Sequence, residues 1–190
     1  DIRDKKKVFG FFKRFKPDYI FHLAADPIVA SAYKNPYNAF ETNIMGTVNV
    51  LEAVRAMKSV KGVLVTSSDK AYGKTKKAYV EDTPLQGDHP YDVSKSSADL
   101  ITQTYYKTYG LPVVITRFGN VYGEGDTHLN RIIPGVCEAV IKNNTLEIRS
   151  NGKYVRDYVY VKDIVDGCLM LINNLDKIQG EAFNFSSSEN

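Results

Sequence analysis

The chain has 190 residues, of which 43% are hydrophobic, and a formal net charge of +3. This length suits one compact domain or a piece of one, and the apolar content is enough to bury a core. So small a charge gives no argument for nucleic-acid binding, and no apolar run approaches the roughly 18 residues of a membrane-spanning helix. Because no signal peptide is visible, we expect a cytoplasmic protein with no nucleic-acid or membrane partner.

Hydrophobic periodicity predicts helices and strands that alternate along the chain. In chain order, the predicted elements are helix 5–15, strand 18–23, helix 36–57, strand 62–67, helix 91–109, strand 113–118, helix 130–142, strands 146–148 and 158–161, helix 162–174 and strand 182–185. Strands separated by helices are typical of an α/β fold with a parallel sheet. Such sheets carry their chemistry at the carboxyl ends of the strands.

The start of helix 91–109 holds Tyr91 and Lys95, four residues apart and therefore on one helical face. A lysine cation beside a phenol favours the phenolate, so we expect the pKa of Tyr91 to lie well below its ordinary value of about 10. A deprotonated tyrosine can act as a general base. The spacing alone is common on exposed helices, so its interpretation depends on the segments around it.

Five further segments accompany this pair. They are His22-Leu-Ala-Ala25, Thr42-Asn43 with Gly46-Thr-Val-Asn-Val-Leu-Glu-Ala53, Ser67-Ser-Asp-Lys-Ala-Tyr-Gly73, Arg117-Phe-Gly-Asn-Val-Tyr-Gly123 and Arg156-Asp-Tyr-Val-Tyr-Val-Lys-Asp163. The ordered set resembles an extended short-chain dehydrogenase/reductase of the group of NAD-dependent nucleotide-sugar epimerases and dehydratases. The resemblance covers essentially the whole chain. It implies a doubly wound, Rossmann-like parallel sheet, an NAD cofactor and a nucleotide-diphosphate sugar substrate.

The glycine-rich turn that holds the pyrophosphate in such a sheet is not found in the sequence. None of the 13 glycines forms a G-x-G-x-x-G or G-x-x-G-x-x-G pattern. We therefore interpret the chain as a fragment that lacks the N-terminal βαβ fingerprint, and we expect the fragment alone to be inactive. Residues 1–122 are predicted to be the C-terminal part of the NAD-binding domain. Residues 123–190 are predicted to be part of a small substrate-binding region, from which 158–174 return to the main domain.

The resemblance also implies roles for individual side chains. Tyr91 would take the proton of the sugar C4 hydroxyl, Lys95 would assist Tyr91, and Ser68 would hydrogen-bond the same hydroxyl. The implied cofactor-binding residues are Asp1, Ile2, His22, Leu23, Ala24, Ala25, Asn43, Ser67, Tyr91, Lys95 and Phe118. The implied substrate-binding residues, whose cations and amides suit a diphosphate sugar, are Asn120, Arg131, Arg149, Arg156 and Asn184. No metal site is expected, because the three histidines lack metal-ligand spacing.

A homodimer is implied as well. In this group, the helices that correspond to 36–57 and 91–109 pack against a second copy of the chain. We therefore expect apolar residues such as Val50 and Leu100 on the faces of these helices that turn away from the sheet.

Two ionisable residues, Asp69 and Lys70, follow Ser68 directly and favour one reaction within the group. Epimerases only oxidise C4, turn the keto sugar and reduce it again. Dehydratases must also remove the C5 proton and expel the C6 hydroxyl, which requires a second acid and base. Asp69 could protonate the leaving hydroxyl and Lys70 could take the C5 proton. The pair resembles that of CDP-glucose 4,6-dehydratases, so we expect an NAD-dependent nucleotide-sugar 4,6-dehydratase that forms a 4-keto-6-deoxy sugar.

Two alternatives stay open at this point. A nucleotide-sugar 4-epimerase would use Ser68, Tyr91 and Lys95 without losing water. A non-catalytic sugar-nucleotide-binding relative would keep the fold without the reaction. The pattern at 156–160 looks more like that of epimerases and thymidine-type dehydratases, so the nucleotide base is open too.

Overall fold

The computed structural model describes residues 1–75, 78–148 and 150–186. Its helices are α1 (Lys5–Phe15), α2 (Val29–Lys34), α3 (Pro36–Phe40), α4 (Gly46–Ala56), α5 (Pro90–Tyr109), α6 (Ile132–Ile141), α7 (Val161–Asn173) and α8 (Leu175–Ile178). Its strands are β1 (Tyr19–His22), β2 (Gly62–Ser68), β3 (Val113–Phe118), β4 (Asn120–Tyr122), β5 (Tyr158–Tyr160) and β6 (Ala182–Phe185). A π-helical turn, Glu41–Met45, joins α3 to α4, and a 3₁₀ turn, Asp69–Tyr72, follows β2.

Four strands form one parallel sheet in the order β1-β2-β3-β6, which confirms the predicted α/β fold. Ser68 at the end of β2 lies beside Phe118 at the end of β3, and Phe118 lies beside Phe185 at the end of β6. β1 ends at His22, which pairs with Val65. The carboxyl ends of the strands therefore lie along one edge, where ligands bind in open parallel sheets.

Helices cover both faces of this sheet, because successive side chains of a strand point to opposite faces. On one face, Val63 and Val65 of β2 belong to a buried cluster with α1, α4 and α5. On the other face, Leu64 packs with Ile164 and Leu171 of α7. The sheet is thus doubly wound, and β2, buried on both faces, reads as a continuous apolar run in the sequence.

Two of the predicted elements are wrong. Residues 146–148 are described and form no strand; Leu146 lies close to Gly135 of α6 instead. The predicted helix over 36–57 is not one uniform helix, because it contains the π-helical turn between α3 and α4. In this turn the Thr47 hydroxyl donates a hydrogen bond to the Asn43 carbonyl oxygen at 2.7 Å, and such local bonds compete with regular helix geometry.

Three short elements, α2, β4 and α8, were not predicted, because periodicity over so few residues carries little information. The most consequential of them is β4. It pairs with β5 in a separate two-stranded parallel sheet, with Asn120 opposite Tyr158. This small sheet brings the segment after β3 next to the segment that leads into α7.

The expectation for the outward faces of α4 and α5 is partly wrong. Val50 is buried in the core of its own chain, because α4 turns this residue toward α1 and the sheet. Leu100 of α5, by contrast, is 51% exposed, and Val93, seven residues earlier on the same face, is also exposed. Within the described part of the chain, no helix combines the length and the apolar character needed to cross a membrane.

Candidate active site

Ser68, Tyr91 and Lys95 come together where β2 ends and α5 begins. Ser68 is the last residue of β2, and α5 starts with Pro90, whose fixed φ suits the first turn of a helix. The Ser68 side chain is close enough to Tyr91 to lower the pKa of the phenol. One helical turn after Tyr91, Lys95 donates from Nζ to the carbonyl oxygen of Thr66 at 3.0 Å. The structure therefore assembles the three side chains that the sequence motif predicts.

The predicted lowering of the Tyr91 pKa is wrong for the protein alone. Burial strips the phenolate of hydration and raises the pKa of Tyr91 to about 12. The Ser68 side chain and the charge of Arg131 lower this pKa, whereas the charge of Asp69 raises it. The positive charge of Lys95 does not offset the burial. Tyr91 is consequently a phenol at neutral pH, and further positive charge is needed before it can act as a base.

Lys95 is buried, and this burial lowers its pKa to about 8. The negative charge of Asp99, one turn further along α5, acts in the opposite direction and favours the ammonium form. At neutral pH the amine is therefore still mainly protonated, which agrees with its hydrogen bond to the Thr66 carbonyl.

Asp69 and Lys70 form an ion pair directly beside Ser68. Asp69 Oδ2 and Lys70 Nζ are 2.6 Å apart, and both side chains are half-buried. The Ser68 hydroxyl donates to Asp69 Oδ1 at 3.0 Å and accepts from the Lys70 backbone N–H at 3.2 Å. The 3₁₀ turn that follows β2 thus holds an acid and a base against the residue that contacts Tyr91.

His22, at the end of β1, is neutral and held in one tautomer. Its Nε2 lies 3.0 Å from the Thr47 hydroxyl, whose single proton is donated to the Asn43 carbonyl oxygen. Nε2 must therefore be the protonated nitrogen of the ring. Burial, together with the charge of Lys95, lowers the pKa of His22 to about 4. A neutral imidazole at this position adds no charge to the site at neutral pH.

We expect His22 to make the protein less stable in mild acid. The unfolded chain has the ordinary histidine pKa of about 6.5 and so binds the proton more readily than the folded chain, whose pKa is about 4. Stability is therefore retained above pH 6.5 and falls by about 3 kcal/mol as the pH drops from 6.5 to 4. Urea unfolding over this range should show that His22→Gln removes this part of the decrease.

The exposed His128 offers a matched control for this experiment. His128→Gln should leave the pH dependence of the unfolding free energy close to that of the parent protein. An equal decrease in the parent and in His22→Gln would show that His22 is not the titrating group.

Asn43, predicted to bind the cofactor, is used within the protein instead. Its side chain is only 2% exposed. Its amide oxygen accepts from the Asp26 N–H at 2.7 Å, and its amide nitrogen donates to the Asp26 carbonyl at 3.1 Å and to the Ser94 hydroxyl at 2.9 Å. The side chain therefore fastens the loop after β1 to α5. A contact of Asn43 with the cofactor stays a prediction.

The other predicted cofactor residues fall into two groups. Leu23 and Ala24, which follow β1, are exposed small or apolar side chains, and Ala25 is half-buried. The second group makes contacts within the protein. Ile2 lies against Gly46, Asp1 is ion-paired with Arg3, and Phe118 is buried in the core beside Phe185.

These residues fit a dinucleotide at this edge of the sheet. The apolar surface of Leu23 and Ala24 can take a flat ring, and the buried Ser67 hydroxyl has no hydrogen-bond partner among the described residues. Lys95 would be the nearest cation for a ribose hydroxyl. We therefore regard the end of β1 and the end of β2 as the part of the chain that would hold NAD.

The predicted substrate residues are not all free to bind substrate. Arg131 is exposed, pairs with Asp126 at 3.1 Å, and its charge lowers the pKa of Tyr91, which places it toward the site. Arg156 is exposed and lies over the Tyr154 ring. The Asn120 amide donates to the Asp157 carbonyl at 3.0 Å. The side chain of Asn184 accepts from the Tyr72 hydroxyl at 2.7 Å. Arg149 lies outside the described residues.

One group of possible metal ligands lies just before α5. Within the described residues, ligand atoms of Asp88, His89 and Asp92 lie within 4.8 Å of one another. His89 Nε2 already pairs with Asp92 Oδ2 at 2.8 Å, and Asp88 pairs with Lys74 at 3.0 Å. The group also sits at the positive end of a long helix, which disfavours a cation. We therefore interpret it as the ion-paired start of α5.

Two polar residues next to predicted site residues were missed in the sequence. The Thr47 hydroxyl lies 3.0 Å from His22 Nε2, and the charge of Asp99 raises the pKa of Lys95. Each lies four residues after a residue that sequence analysis did select, Asn43 and Lys95 respectively, and so occupies the same helical face. That spacing is the signal by which they could have been found.

The chain is similar in sequence and in structure to several known proteins. The chain is 33% identical over 186 residues to the CDP-glucose 4,6-dehydratase of Salmonella typhimurium, covering 92% of this chain and 52% of that relative. It superposes with a TM-score of 0.89 and 30% identity on the UDP-glucose 4-epimerase of Thermotoga maritima, covering 98% of this chain and 61% of that one. It also superposes on the dTDP-glucose 4,6-dehydratase of Streptomyces venezuelae, solved with NAD bound. The TM-score is 0.86 and the identity 30%, and the match covers 97% of this chain and 56% of that one.

The chain thus spans about half the length of the first of these relatives. Dehydratases and an epimerase resemble it at nearly the same identity, so the comparisons establish the group and leave the individual reaction open. A family model matches residues 1–186, which include the whole parallel sheet and all described site residues. The chain belongs to the NAD dependent epimerase/dehydratase family.

Proposed function

We propose that the protein is an NAD-dependent nucleotide-sugar 4,6-dehydratase, similar to CDP-glucose 4,6-dehydratase, that forms a 4-keto-6-deoxy sugar. The observation that supports this is the position of Ser68, which lies near Tyr91 and is also next to the Asp69–Lys70 ion pair. Its side chain is close enough to Tyr91 to lower the pKa of the phenol, and its hydroxyl donates to Asp69 at 3.0 Å. The base for C4 oxidation and the acid–base pair for dehydration therefore meet at one serine.

The first step is oxidation of the C4 hydroxyl. Tyr91 takes the proton of this hydroxyl while Ser68 holds its oxygen. NAD, when bound, supplies the hydride acceptor and a positive charge. The positive charges around Tyr91 matter because burial raises its pKa to about 12, and Arg131 already acts in the required direction.

The second step removes water across C5 and C6. The C4 ketone acidifies the C5 proton, which Lys70 takes as the base. Asp69 gives its proton to the C6 hydroxyl, the C6–O bond breaks, and water leaves. The electrons of the C5–H bond form the C5–C6 double bond, so atoms and charge balance. After this step Lys70 is an ammonium and Asp69 a carboxylate. The hydride removed from C4 would then return to C6, and Lys70 would give its proton back to C5, which completes the 4-keto-6-deoxy sugar.

The ion pair in the structure is the state that this step leaves behind. Asp69 Oδ2 and Lys70 Nζ are 2.6 Å apart, so each group stabilises the charge of the other until the reaction continues. Lys70 becomes neutral again when it gives its proton back to C5, and Asp69 becomes an acid again by regaining one proton, which balances the proton that Tyr91 takes from the C4 hydroxyl. The pair is therefore suited to repeated turnover.

Substrate binding is assigned to the exposed cations near the site. Arg131 and Arg156 would pair with the diphosphate, for which the planar guanidinium is well suited. Arg149 is proposed on the resemblance alone. Asn120 and Asn184 would contribute through their remaining hydrogen-bonding capacity, since each already bonds another part of the protein.

The second candidate function is a nucleotide-sugar 4-epimerase. It is favoured by the similarity to the Thermotoga maritima UDP-glucose 4-epimerase at 30% identity. In that case Asp69 and Lys70 would be only an ion pair of the 3₁₀ turn, and Ser68, Tyr91 and Lys95 would do all the chemistry. A non-catalytic relative is less well supported, because these three residues are all present and assembled.

Mass spectrometry of the full-length protein with NAD and a panel of CDP-, dTDP-, UDP- and GDP-hexoses tests the proposal. Loss of one water from a nucleotide sugar is the expected result and identifies the base. A product of unchanged mass with inverted C4 would favour the epimerase. A bound but unchanged sugar would favour the non-catalytic relative.

We further propose a homodimer formed through α5. Val93 and Leu100 are exposed on one face of this helix, and burying such residues against a second copy would remove apolar surface from water. Leu100→Glu should shift the full-length protein from dimer to monomer in sedimentation velocity. Val140→Glu, at a 75% exposed position of α6, should leave the dimer intact. A parent protein that sediments as a monomer at micromolar concentration would contradict the proposal.

Domain division and location complete the proposal. We place the boundary after 122, with 158–174 returning to the main domain, because α7 packs against β2 and β3. We infer a cytoplasmic role in carbohydrate biosynthesis, which suits two cysteines, Cys137 and Cys168, that are both free thiols.

A further inference from the structure

A buried ion pair, Arg117 with Asp99, joins β3 to α5 behind the catalytic residues. Arg117 Nε lies 2.8 Å from Asp99 Oδ2, and Nη2 lies 3.1 Å from Oδ1. The two side chains are 3% and 0% exposed. Gln103 donates a further hydrogen bond to Asp99 Oδ1 at 2.8 Å. Two parallel bonds to a planar guanidinium hold the carboxylate in one orientation.

The third guanidinium nitrogen of Arg117, Nη1, connects this ion pair to the 3₁₀ turn. Nη1 donates to the Tyr72 hydroxyl at 2.7 Å and to the Glu81 carbonyl at 2.8 Å. Tyr72 in turn donates to Asn184 on β6 at 2.7 Å. The arginine therefore ties α5 to the same turn that carries Asp69 and Lys70, as well as to two strands of the sheet.

Asp99 also faces the catalytic side of α5. Tyr91, Lys95 and Asp99 follow one another at intervals of four residues and so form one stripe along the helix. Two titratable neighbours of Lys95, Asp99 and Tyr91, lie on its own helix, and a third, the neutral His22, comes from β1. From β2, the Thr66 carbonyl accepts the hydrogen bond of Lys95. Asp99 is the negative charge in this set, and it favours the ammonium form of Lys95.

We propose that Asp99, fixed by Arg117, is a positioning residue that supplies the counter-charge for the buried Lys95 ammonium group. The two bonds from Arg117 fix the place of this carboxylate one helical turn from Lys95. Without Asp99, burial would act unopposed on Lys95 and would weaken its hydrogen bond to the Thr66 carbonyl. The consequence for C4 oxidation rests on the proposed function, whereas the effect on Lys95 does not.

The test follows the titration of Lys95 directly, by NMR of its ¹⁵Nζ in the full-length protein. The double variant Asp99→Asn with Arg117→Met removes both charges, so no unpaired charge stays buried. We expect the pKa of Lys95 to fall by about one unit or more. The single variant Arg117→Gln leaves Asp99 with Lys95 as its main cation, so the pKa of Lys95 should rise. Either variant that folds gives an answer.

Asp18→Asn is the matched control, because Asp18 is an exposed carboxylate paired with Lys61 at 3.0 Å just before the amino end of β1. It should leave the titration of Lys95 unchanged. If the folded Arg117 and Asp99 variants lose stability but the pKa of Lys95 stays at its value in the parent protein, Asp99 only stabilises the fold and the proposal is overturned. If Lys95 shifts as expected and no sugar is oxidised, the proposed function fails while this inference stands.

Discussion

Replacing Tyr91 by phenylalanine in the full-length protein is expected to lower the rate of C4 oxidation by about 10²–10⁴-fold. The structure places Ser68 near Tyr91, and burial raises the pKa of Tyr91 to about 12. A phenol with this pKa gives up its proton only when surrounding positive charge favours the phenolate, and then it is a strong base. Single-turnover measurement of keto-sugar formation by mass spectrometry reports this step alone.

Tyr109→Phe is the control for this variant, because Tyr109 is exposed near the end of the same helix. It should oxidise the sugar at the parent rate. A Tyr91→Phe protein that does the same would remove Tyr91 from its proposed role. It would also show that another group takes the C4 hydroxyl proton.

Asp69→Asn and Lys70→Met are expected to block the loss of water while C4 oxidation continues. An amide cannot give a proton to the C6 hydroxyl, and a thioether cannot take the C5 proton, so each loss should slow dehydration by about 10²–10⁴-fold. Ser68, Tyr91 and Lys95 are unchanged in both variants. Quenched reactions should therefore contain the 4-keto sugar before dehydration and little of the 4-keto-6-deoxy product.

Lys74→Met tests whether removing any lysine of this region has the same effect. Lys74 is exposed and pairs with Asp88, not with Asp69, and its loss should leave dehydration intact. If the Asp69 and Lys70 variants both turn over normally and the product is the C4 epimer, the pair is a loop ion pair. The epimerase would then be the correct function.

The parallel sheet and its helices could be predicted because their signals are local. β2 is a continuous apolar run, which indicates a strand covered on both faces, and α5 shows an apolar period with Gly110 at its end, whose φ of 65° suits a helix C-cap. The sequence carries no comparable signal at 146–148. Leu146 lies close to Gly135 of α6 and Ile148 is exposed, and strand pairing is not a property of one segment.

The candidate site could be predicted as a set of residues but not as a set of environments. The tyrosine–lysine spacing on α5 and the polar end of β2 identify Ser68, Tyr91 and Lys95. This works because the carboxyl ends of parallel strands lie at the same edge of the sheet. The charge state of Tyr91 was predicted wrongly, since burial depends on how α5 packs against the sheet. The burial of the Asn43 side chain could not be predicted for the same reason: its amide bonds Asp26 and Ser94, which only packing brings next to it.

The sequence alone determined the family resemblance, the positions of the four main-sheet strands along the chain and the two ionisable residues, Asp69 and Lys70, after Ser68. These follow from residue type and spacing, which are properties of the chain. Only the tertiary structure decided which side chains are desolvated and which partners they meet. Arg117 and Asp99 are 18 residues apart, and Tyr72 and Asn184 are 112 apart, so their contacts arise when β3, β6 and α5 pack together. The pKa values of His22, Tyr91 and Lys95 depend on that packing, because burial and neighbouring charge set them.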